Sequence, residues 1–261
     1  VTVTGRTDVL AILGDPIVQA RTPALVNAAL AARGVDAVLV PMHVPAGGLA
    51  SVVDALTEIK NFRGAVVTMP HKAAIVELLD DMTPEARDAG ACNVIRREPD
   101  GRLVGTMYDG EGFVAGLRAA GHDVAGRRVF LAGAGSAASG IALALGMRGI
   151  AALTVHNRTA AKATALVERV RAAHPGLAAA VGGPDPAGHD LVVNATSLGM
   201  KPGDPLPLRT DGLEADMLVA EAVIFPETPL LAVAAKRGCR VHPGEAMLVA
   251  QIALMVDFML G

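Results

Sequence analysis

The sequence predicts an α/β protein of two domains, each built round a mostly parallel sheet. Three observations predict it: short β-rich runs alternate with helical stretches, a second such series starts after residue 109, and a glycine-rich turn opens that second series. In the first series "VLAILG" (9–14), "AVLVPMHV" (37–44) and "GAVVTM" (64–69) are strand candidates, with helical stretches at 23–33 and 47–60 between them. A hairpin over 93–106 follows, turned by "PDG" at 99–101. A helix from about residue 109 leads into "RRVFLAG" (127–133), "ALTVHN" (152–157), "LAAAVG" (177–182), "DLVVNA" (190–195) and "MLVAEAVI" (217–224). No low-complexity linker separates the halves and no internal repeat is present, so the domains are expected to join through helices. Their cleft is the default ligand site.

Composition narrows the class of function. With 261 residues and 52% apolar content the chain has ample material for a large core. A net charge of -3 with scattered Lys and Arg offers no basic stripe, so nucleic acid and membrane surfaces are not expected partners and small-molecule chemistry is. Cys92 and Cys239 stand far apart with no metal-like spacing, which predicts reduced thiols, no metal and a cytoplasmic setting. The start, "VTVTGRTDVLAILG", has no basic segment followed by a long apolar one, so no secretory leader is expected. "AMLVAQIALMVDFML" (246–260) is apolar nearly all round, yet it is short for a span and carries Gln251 and Asp257. A buried terminal helix, covered on more than one side, is expected instead.

The glycine-rich turn reads "VFLAGAGSAASGIALALG", in which Gly133, Gly135 and Ala138 form G-x-G-x-x-A between a strand and a helix. Gly133 allows the tight turn, Gly135 lets backbone approach a pyrophosphate, and Ala138 permits close helix packing, the arrangement of a Rossmann-type dinucleotide site. An NAD site usually ends its second strand with an acid that holds the ribose 2′-hydroxyl. Here the chain reads "TVHNRTAAK", without an acid. Asn157, Arg158 and Thr159 offer a cation and a hydroxyl suited to a 2′-phosphate, which favours NADP.

In "TMPHK", Pro70 is expected at the first turn of a helix, where its missing N–H costs little, with His71 and Lys72 on that turn. A lysine there opposes the helix dipole. By itself this leaves Lys72 either a solvated lysine or a proton-transfer group.

The wider pattern resembles the shikimate/quinate dehydrogenase family over nearly the whole chain. "GDPIVQARTPALVN" (14–27), "GAVVTMPHK" (64–72), "GACNV" (90–94), "GTMYDGEG" (105–112), "GAGSAAS" (133–139), "NRT" (157–159), "NATSLGM" (194–200), "TPLL" (228–231) and "GEAMLVAQ" (244–251) are similar to family motifs in the same order. The resemblance implies a substrate-binding and catalytic domain over 1–111, completed by 239–261, and an NADP-binding Rossmann-type domain over 112–238. It implies Lys72 and Asp109 as a coupled catalytic pair, and Ala20, Thr22, Thr68, Asn93, Tyr108 and Gln251 as substrate positions. For NADP it implies Gly133, Ala134, Gly135, Ser136, Ala137, Asn157, Arg158, Thr159, Lys162, Asn194, Thr196 and Gly244. His71 is expected to be structural.

The recognition residues depart from the family pattern. Its Ser-x-Ser carboxylate anchor reads Ala20-Arg21-Thr22, an Asn is replaced by Val66, Asn-Thr-Asp reads Met107-Tyr108-Asp109, and a Tyr is replaced by Val223 or Ile224. Thr22 retains one hydroxyl, and Tyr108 either donates to the ring carboxylate in place of the lost serine or packs under the hairpin. The expected activity is reversible hydride transfer between NADP and a ring hydroxyl of shikimate, quinate or a related ring acid, in a monomer or homodimer. The alternatives are a less polar substrate on the same fold, and a non-catalytic NADP-binding sensor.

Overall fold

The computed structural model describes residues 2–225 and 227–261. It divides into two compact units, one of residues 1–108 with 251–261 and one of residues 109–250.

The first unit holds a six-stranded mixed sheet. Strands β1 (Asp8–Gly14), β2 (Ala37–His43) and β3 (Phe62–Val67) run parallel, with β1 between the other two. The hairpin strands β5 (Val94–Arg97) and β6 (Leu103–Thr106) add antiparallel beside β3, and the two-residue β4 (Asp81–Met82), which the pattern does not signal, pairs with β6. Ala11 to Leu13 and Ala65 to Val67 lie almost wholly out of water, so these runs read as continuous apolar segments rather than alternating ones. Pro41 sits in β2, an edge strand, where its missing N–H breaks no interior ladder. Helices α1 (Thr22–Ala32) and α2 (Leu49–Glu58) make the crossovers, and the short α3 (Pro84–Ala89) follows β4. Phe62, Ile75, Ile95 and Leu103 pack with Leu13 and Val53 in one core cluster.

The second unit opens with α4 (Asp109–Ala119) and holds six strands, all parallel. These are β7 (Arg128–Ala132), β8 (Ala152–His156), β9 (Ala178–Val181), β10 (Leu191–Asn194), β11 (Leu218–Glu221) and β12 (Arg240–His242). Their order is β12-β11-β10-β7-β8-β9, so the direction of winding reverses between β7 and β10. This is the doubly wound Rossmann order, and its crevice lies at the carboxyl ends of those two strands. Helices α5 (Ser136–Met147), α6 (Ala160–Ala173) and α7 (Pro229–Lys236) serve as crossovers. Gly110 lets α4 approach α5 closely, since a Cβ there would lie 2.1 Å from the Gly140 carbonyl oxygen.

Several expected boundaries move. The run at 217–224 stays a strand only to Glu221, because the chain bends at 222–223. The expected break at 238/239 would give β12 to the first unit, whereas β12 hydrogen-bonds to β11. The compact units change instead within α8 (Glu245–Leu260), after Ala250. In that helix Met247, Leu248, Gln251, Ile252, Met255, Val256 and Met259 are buried, while Val249, Ala253 and Asp257 form an exposed stripe at a four-residue spacing. No helix among the described residues is long and apolar enough to cross a membrane.

Candidate active site

In the first unit the candidate residues lie on the connections that leave β1, β3 and β6, just before β5, and on α8. Thr68 follows β3; its N–H donates to the Leu13 carbonyl at 2.9 Å, and its own carbonyl accepts from the His71 N–H at 2.9 Å. Gly14 makes room for it, since a Cβ there would stand 2.4 Å from Thr68 Cγ2. The expected helix at 70–72 is absent: Pro70, His71 and Lys72 lie in a turn, and a 3₁₀ helix starts only at Ala74. The reason is a distant competitor. The Lys72 carbonyl, which a helix would offer to the amide four residues on, accepts instead from the Cys92 N–H at 2.8 Å. The opposition between Lys72 and a helix dipole therefore does not arise.

His71 is structural, as expected: it is buried and one ring nitrogen, Nε2, pairs with the Val44 carbonyl at 2.7 Å. Lys72 is half-buried. Its backbone bond to Cys92 sets it beside Asn93, whose N–H donates to the Thr106 carbonyl at 3.0 Å and whose carbonyl accepts from Val67 at 2.7 Å. The Asn93 side chain accepts from the Tyr108 N–H at 2.8 Å and donates to Gln251 Oε1 at 3.0 Å. Asn93 and Gln251 are both nearly inaccessible, so a buried amide pair joins the start of β5 to α8. Thr22 is buried as the first residue of α1, and Ala20 precedes it half-exposed, its N–H donating to the Ile17 carbonyl.

Tyr108 is half-buried and its ring is packed. Its ring meets Phe258 edge-on with centroids 6.0 Å apart, the face of Phe258 carries the Arg96 guanidinium at 4.9 Å, and burial raises the phenol pKa despite a hydrogen bond with Thr106. Val66 and Met107, which replace polar family residues, are both buried. Asp109, the next residue after Tyr108, opens α4 in the second unit and is itself 2% exposed.

In the second unit the glycine-rich turn lies at the reversal of strand order. Gly133 has φ +117°, and a Cβ on it would fall 2.7 Å from the Ala195 carbonyl oxygen at the end of the neighbouring strand. Both constraints demand glycine. Gly135 differs: a Cβ there would meet nothing within 4 Å, so the backbone opens onto free space at the N-terminus of α5. That terminus has no side-chain cap, which leaves its N–H groups for an anion. Ala134, Ser136 and Ala137 complete the turn half-buried, and Ala138 is fully buried, as close helix packing requires. These features fit the pyrophosphate of a dinucleotide.

At the end of β8, next to β7, Asn157 Nδ2 donates to the Thr159 carbonyl at 2.9 Å, and Thr159 caps α6 without a side-chain hydrogen bond. Arg158 and Lys162 are exposed and have no ion-pair partner among the described residues. The two cations and no acid form the rim that a 2′-phosphate would need.

One expected cofactor contact is corrected. Asn194 is fully buried and its amide is spent internally: Nδ2 donates to Leu198 O and Glu221 Oε2, and Oδ1 accepts from the N–H and Oγ1 of Thr196. It shapes the turn carrying half-buried Thr196 rather than offering a group to a ligand. At Gly244 a Cβ would lie 2.2 Å from the Val223 carbonyl oxygen, so close backbone approach requires glycine there. The sequence reading missed Glu221. Its carboxyl is buried beside Asn194 and Thr228, and burial lifts its pKa to about 7 against those hydrogen bonds. The signal was a lone acid inside the apolar run 217–224.

Fold and turn together define a dinucleotide-binding oxidoreductase with a separate α/β unit bearing a lysine and a buried amide pair. Residues 12–95 match the shikimate dehydrogenase substrate binding domain, and residues 117–179 match the shikimate / quinate 5-dehydrogenase family. A shikimate dehydrogenase (NADP(+)) of Rubrobacter xylanophilus is 39% identical, covering 95% of this chain and 88% of its own. The solved shikimate 5-dehydrogenase of Thermus thermophilus, in complex with NADP(H) and shikimate, is 30% identical with a TM-score of 0.87, covering 97% of this chain and 93% of its own. A ligand-free 5-ketofructose reductase of a Gluconobacter strain is 32% identical with a TM-score of 0.86, covering 99% of this chain and 94% of its own. The chain belongs to the shikimate dehydrogenase family.

Proposed function

We propose that this chain is an NADP-dependent alcohol dehydrogenase acting on a ring hydroxyl of shikimate, quinate or a related hydroxylated ring carboxylate. The observation that carries the reading is the pairing, in one family member, of an uncapped glycine-rich helix start with a lysine whose backbone is pinned beside a buried Asn93–Gln251 amide pair. Bound NADP supplies the hydride acceptor, or in its reduced form the donor. Oxidising a secondary alcohol also releases a proton, so a side chain must hold the hydroxyl and take that proton. Lys72 and Asp109 fill this role as a coupled pair. Thr68 and Gln251 orient ring hydroxyls, Thr22 receives the carboxylate, and Asn93 holds Gln251 in place. In the cofactor half the turn 133–137 receives the pyrophosphate, and Asn157, Arg158, Thr159 and Lys162 receive the 2′-phosphate. The same reading takes the protein as a cytoplasmic monomer or homodimer with no nucleic-acid partner.

A second reading keeps fold and cofactor and changes the substrate. Val66 and Met107 favour it, since each puts an apolar side chain where the family resemblance expects Asn. One panel separates the two readings: shikimate, quinate and other hydroxylated ring acids with NADP, and 5-ketofructose with NADPH, followed by absorbance of the reduced cofactor. Turnover confined to ring acids supports the first, and turnover confined to 5-ketofructose or another substrate without a carboxylate supports the second. Tight NADP binding with no turnover of any of them would leave a sensor.

A further inference from the structure

At the carboxyl end of β11 the Glu221 carboxyl collects three hydrogen bonds, all from donors. Asn194 Nδ2 donates at 2.9 Å, Thr228 Oγ1 at 2.6 Å, and the Val223 N–H from the turn that follows. Asn194 cannot reverse its role, because its Oδ1 already accepts two hydrogen bonds from Thr196 and its Nδ2 also serves the Leu198 carbonyl. A backbone N–H cannot reverse either. Only the Thr228 hydroxyl, which donates to Glu221 and accepts from the Leu231 N–H, can instead accept from the carboxyl. Three donors call for an ionised acceptor, while burial opposes the charge, and the two influences balance near neutrality.

Nothing charged competes for this carboxyl among the described residues. Its contacts from β10, the 222–228 turn and α7 are Asn194, the Val223 N–H and Thr228, none of them titratable near neutrality. On β12 the nearest titratable group is His242, which is in register with Ala220 and so takes the opposite face of the sheet.

We infer that Glu221 is a positioning residue for the dinucleotide: its ionised carboxylate, acting through Asn194, holds the 194–198 turn in the shape that receives the β10 side of NADP, and protonation loosens that hold. The inference rests on the NADP reading above. The protonation is balanced: a proton from solvent binds Oε1, the new O–H donates to Thr228 Oγ1, which already accepts from the Leu231 N–H, and the Thr228 hydroxyl gives up its own donation to Glu221. The bond from Asn194 then passes from charge-assisted to neutral and weakens.

The test is NADP binding to the full chain by titration calorimetry from about pH 5.5 to 8.5, for wild type and Glu221→Gln. The amide keeps the size of the side chain but directs an N–H at a donor. At the alkaline end Glu221→Gln should bind NADP about tenfold more weakly, and the ratio of the two affinities should approach one at the acid end. Titration of the ligand's own phosphate cancels in that ratio. KM for NADP should rise in proportion, with kcat at saturation kept within about twofold. A ratio near one throughout, or a large ratio that ignores pH, would overturn the inference, the latter by reducing Glu221 to a packing role. A wild type that binds no NADP at any pH would overturn the NADP reading and this inference together. Should Glu221→Gln not fold, wild type decides alone: after correction for intrinsic exchange, amides 195–199 should exchange about tenfold faster at the acid end, and equal protection overturns the proposal.

Discussion

Asn93 Nδ2 donates to Gln251 Oε1 at 3.0 Å, a bond between residues 158 positions apart. It joins the start of β5 to α8, and the Tyr108 N–H uses the other end of the same amide at 2.8 Å. The two partners should therefore separate in mutation. Asn93→Ala leaves the Tyr108 N–H and Gln251 Oε1 without their partner, and should cost about 1–3 kcal/mol in urea unfolding. Gln251→Ala should cost less stability and raise KM for the ring substrate about tenfold. Equal stability losses with unchanged KM in Gln251→Ala would make the pair purely structural.

Lys72 and Asp109 are proposed as one proton-handling unit, which gives a signature in kinetics. Each alanine substitution should lower kcat by roughly 10²–10⁴ while NADP affinity persists. The double variant should lose far less than the product of both effects, because residues acting as a unit are not additive. Multiplicative losses would show two independent roles, and an active Lys72→Ala would return that residue to an ordinary lysine.

Arg158 stands exposed at the end of β8 with no acid in the segment to read a ribose 2′-hydroxyl. Arg158→Ala should raise KM for NADP by about tenfold or more and leave KM for NAD nearly unchanged. Equal small effects on both cofactors would mark it as surface charge.

Glu221 also makes stability depend on pH. Its folded pKa, about 7, lies above the ordinary 4.5, so its contribution is complete below the lower value and is lost as pH rises through the upper one. The unfolding free energy of wild type relative to Glu221→Gln should fall by about 3 kcal/mol across that window. Burial lowers the pKa of His122 and His242, but both are present in each protein and cancel in the difference. A difference that stays flat would show that the carboxyl titrates normally.

What the sequence disclosed and what it hid divide by range. The G-x-G-x-x-A turn was legible because its demands are local: Gly133 needs a left-handed backbone, and Gly135 needs open space one residue before α5. The 70–72 turn was not, because the carbonyl that would continue a helix is taken by Cys92, 20 residues further on in the sequence. The sequence pattern alone leaves Tyr108 between two roles, because the partner of its ring, Phe258, lies at the far end of the chain. Glu221 read as part of a strand, since its three donors come from Asn194, the next bend and the cap of α7. Strand and helix identity followed from patterns within a few residues, and each correction traces to a partner the pattern could not see.

The altered carboxylate anchor gives the sharpest test of substrate. With Ala20 where the family resemblance expects serine, Thr22 is the one side-chain hydroxyl of the 20–22 segment, and it is buried at the start of α1. We propose that Tyr108 does not stand in for the missing serine, a reading supported by its ring packing on Phe258 and its phenol's hydrogen bond with Thr106. Shikimate should therefore bind weakly to the wild type. A hydrogen bond to a charged group contributes about 1.5–3 kcal/mol, so Ala20→Ser should lower KM for shikimate by roughly ten- to a hundredfold. Tyr108→Phe should leave that KM within about twofold, because the phenol serves packing rather than recognition. A worsened KM in Tyr108→Phe would return the phenol to the substrate, and an Ala20→Ser variant indifferent to shikimate, in an enzyme that reduces 5-ketofructose well, would favour the reading in which this chain has left ring acids behind.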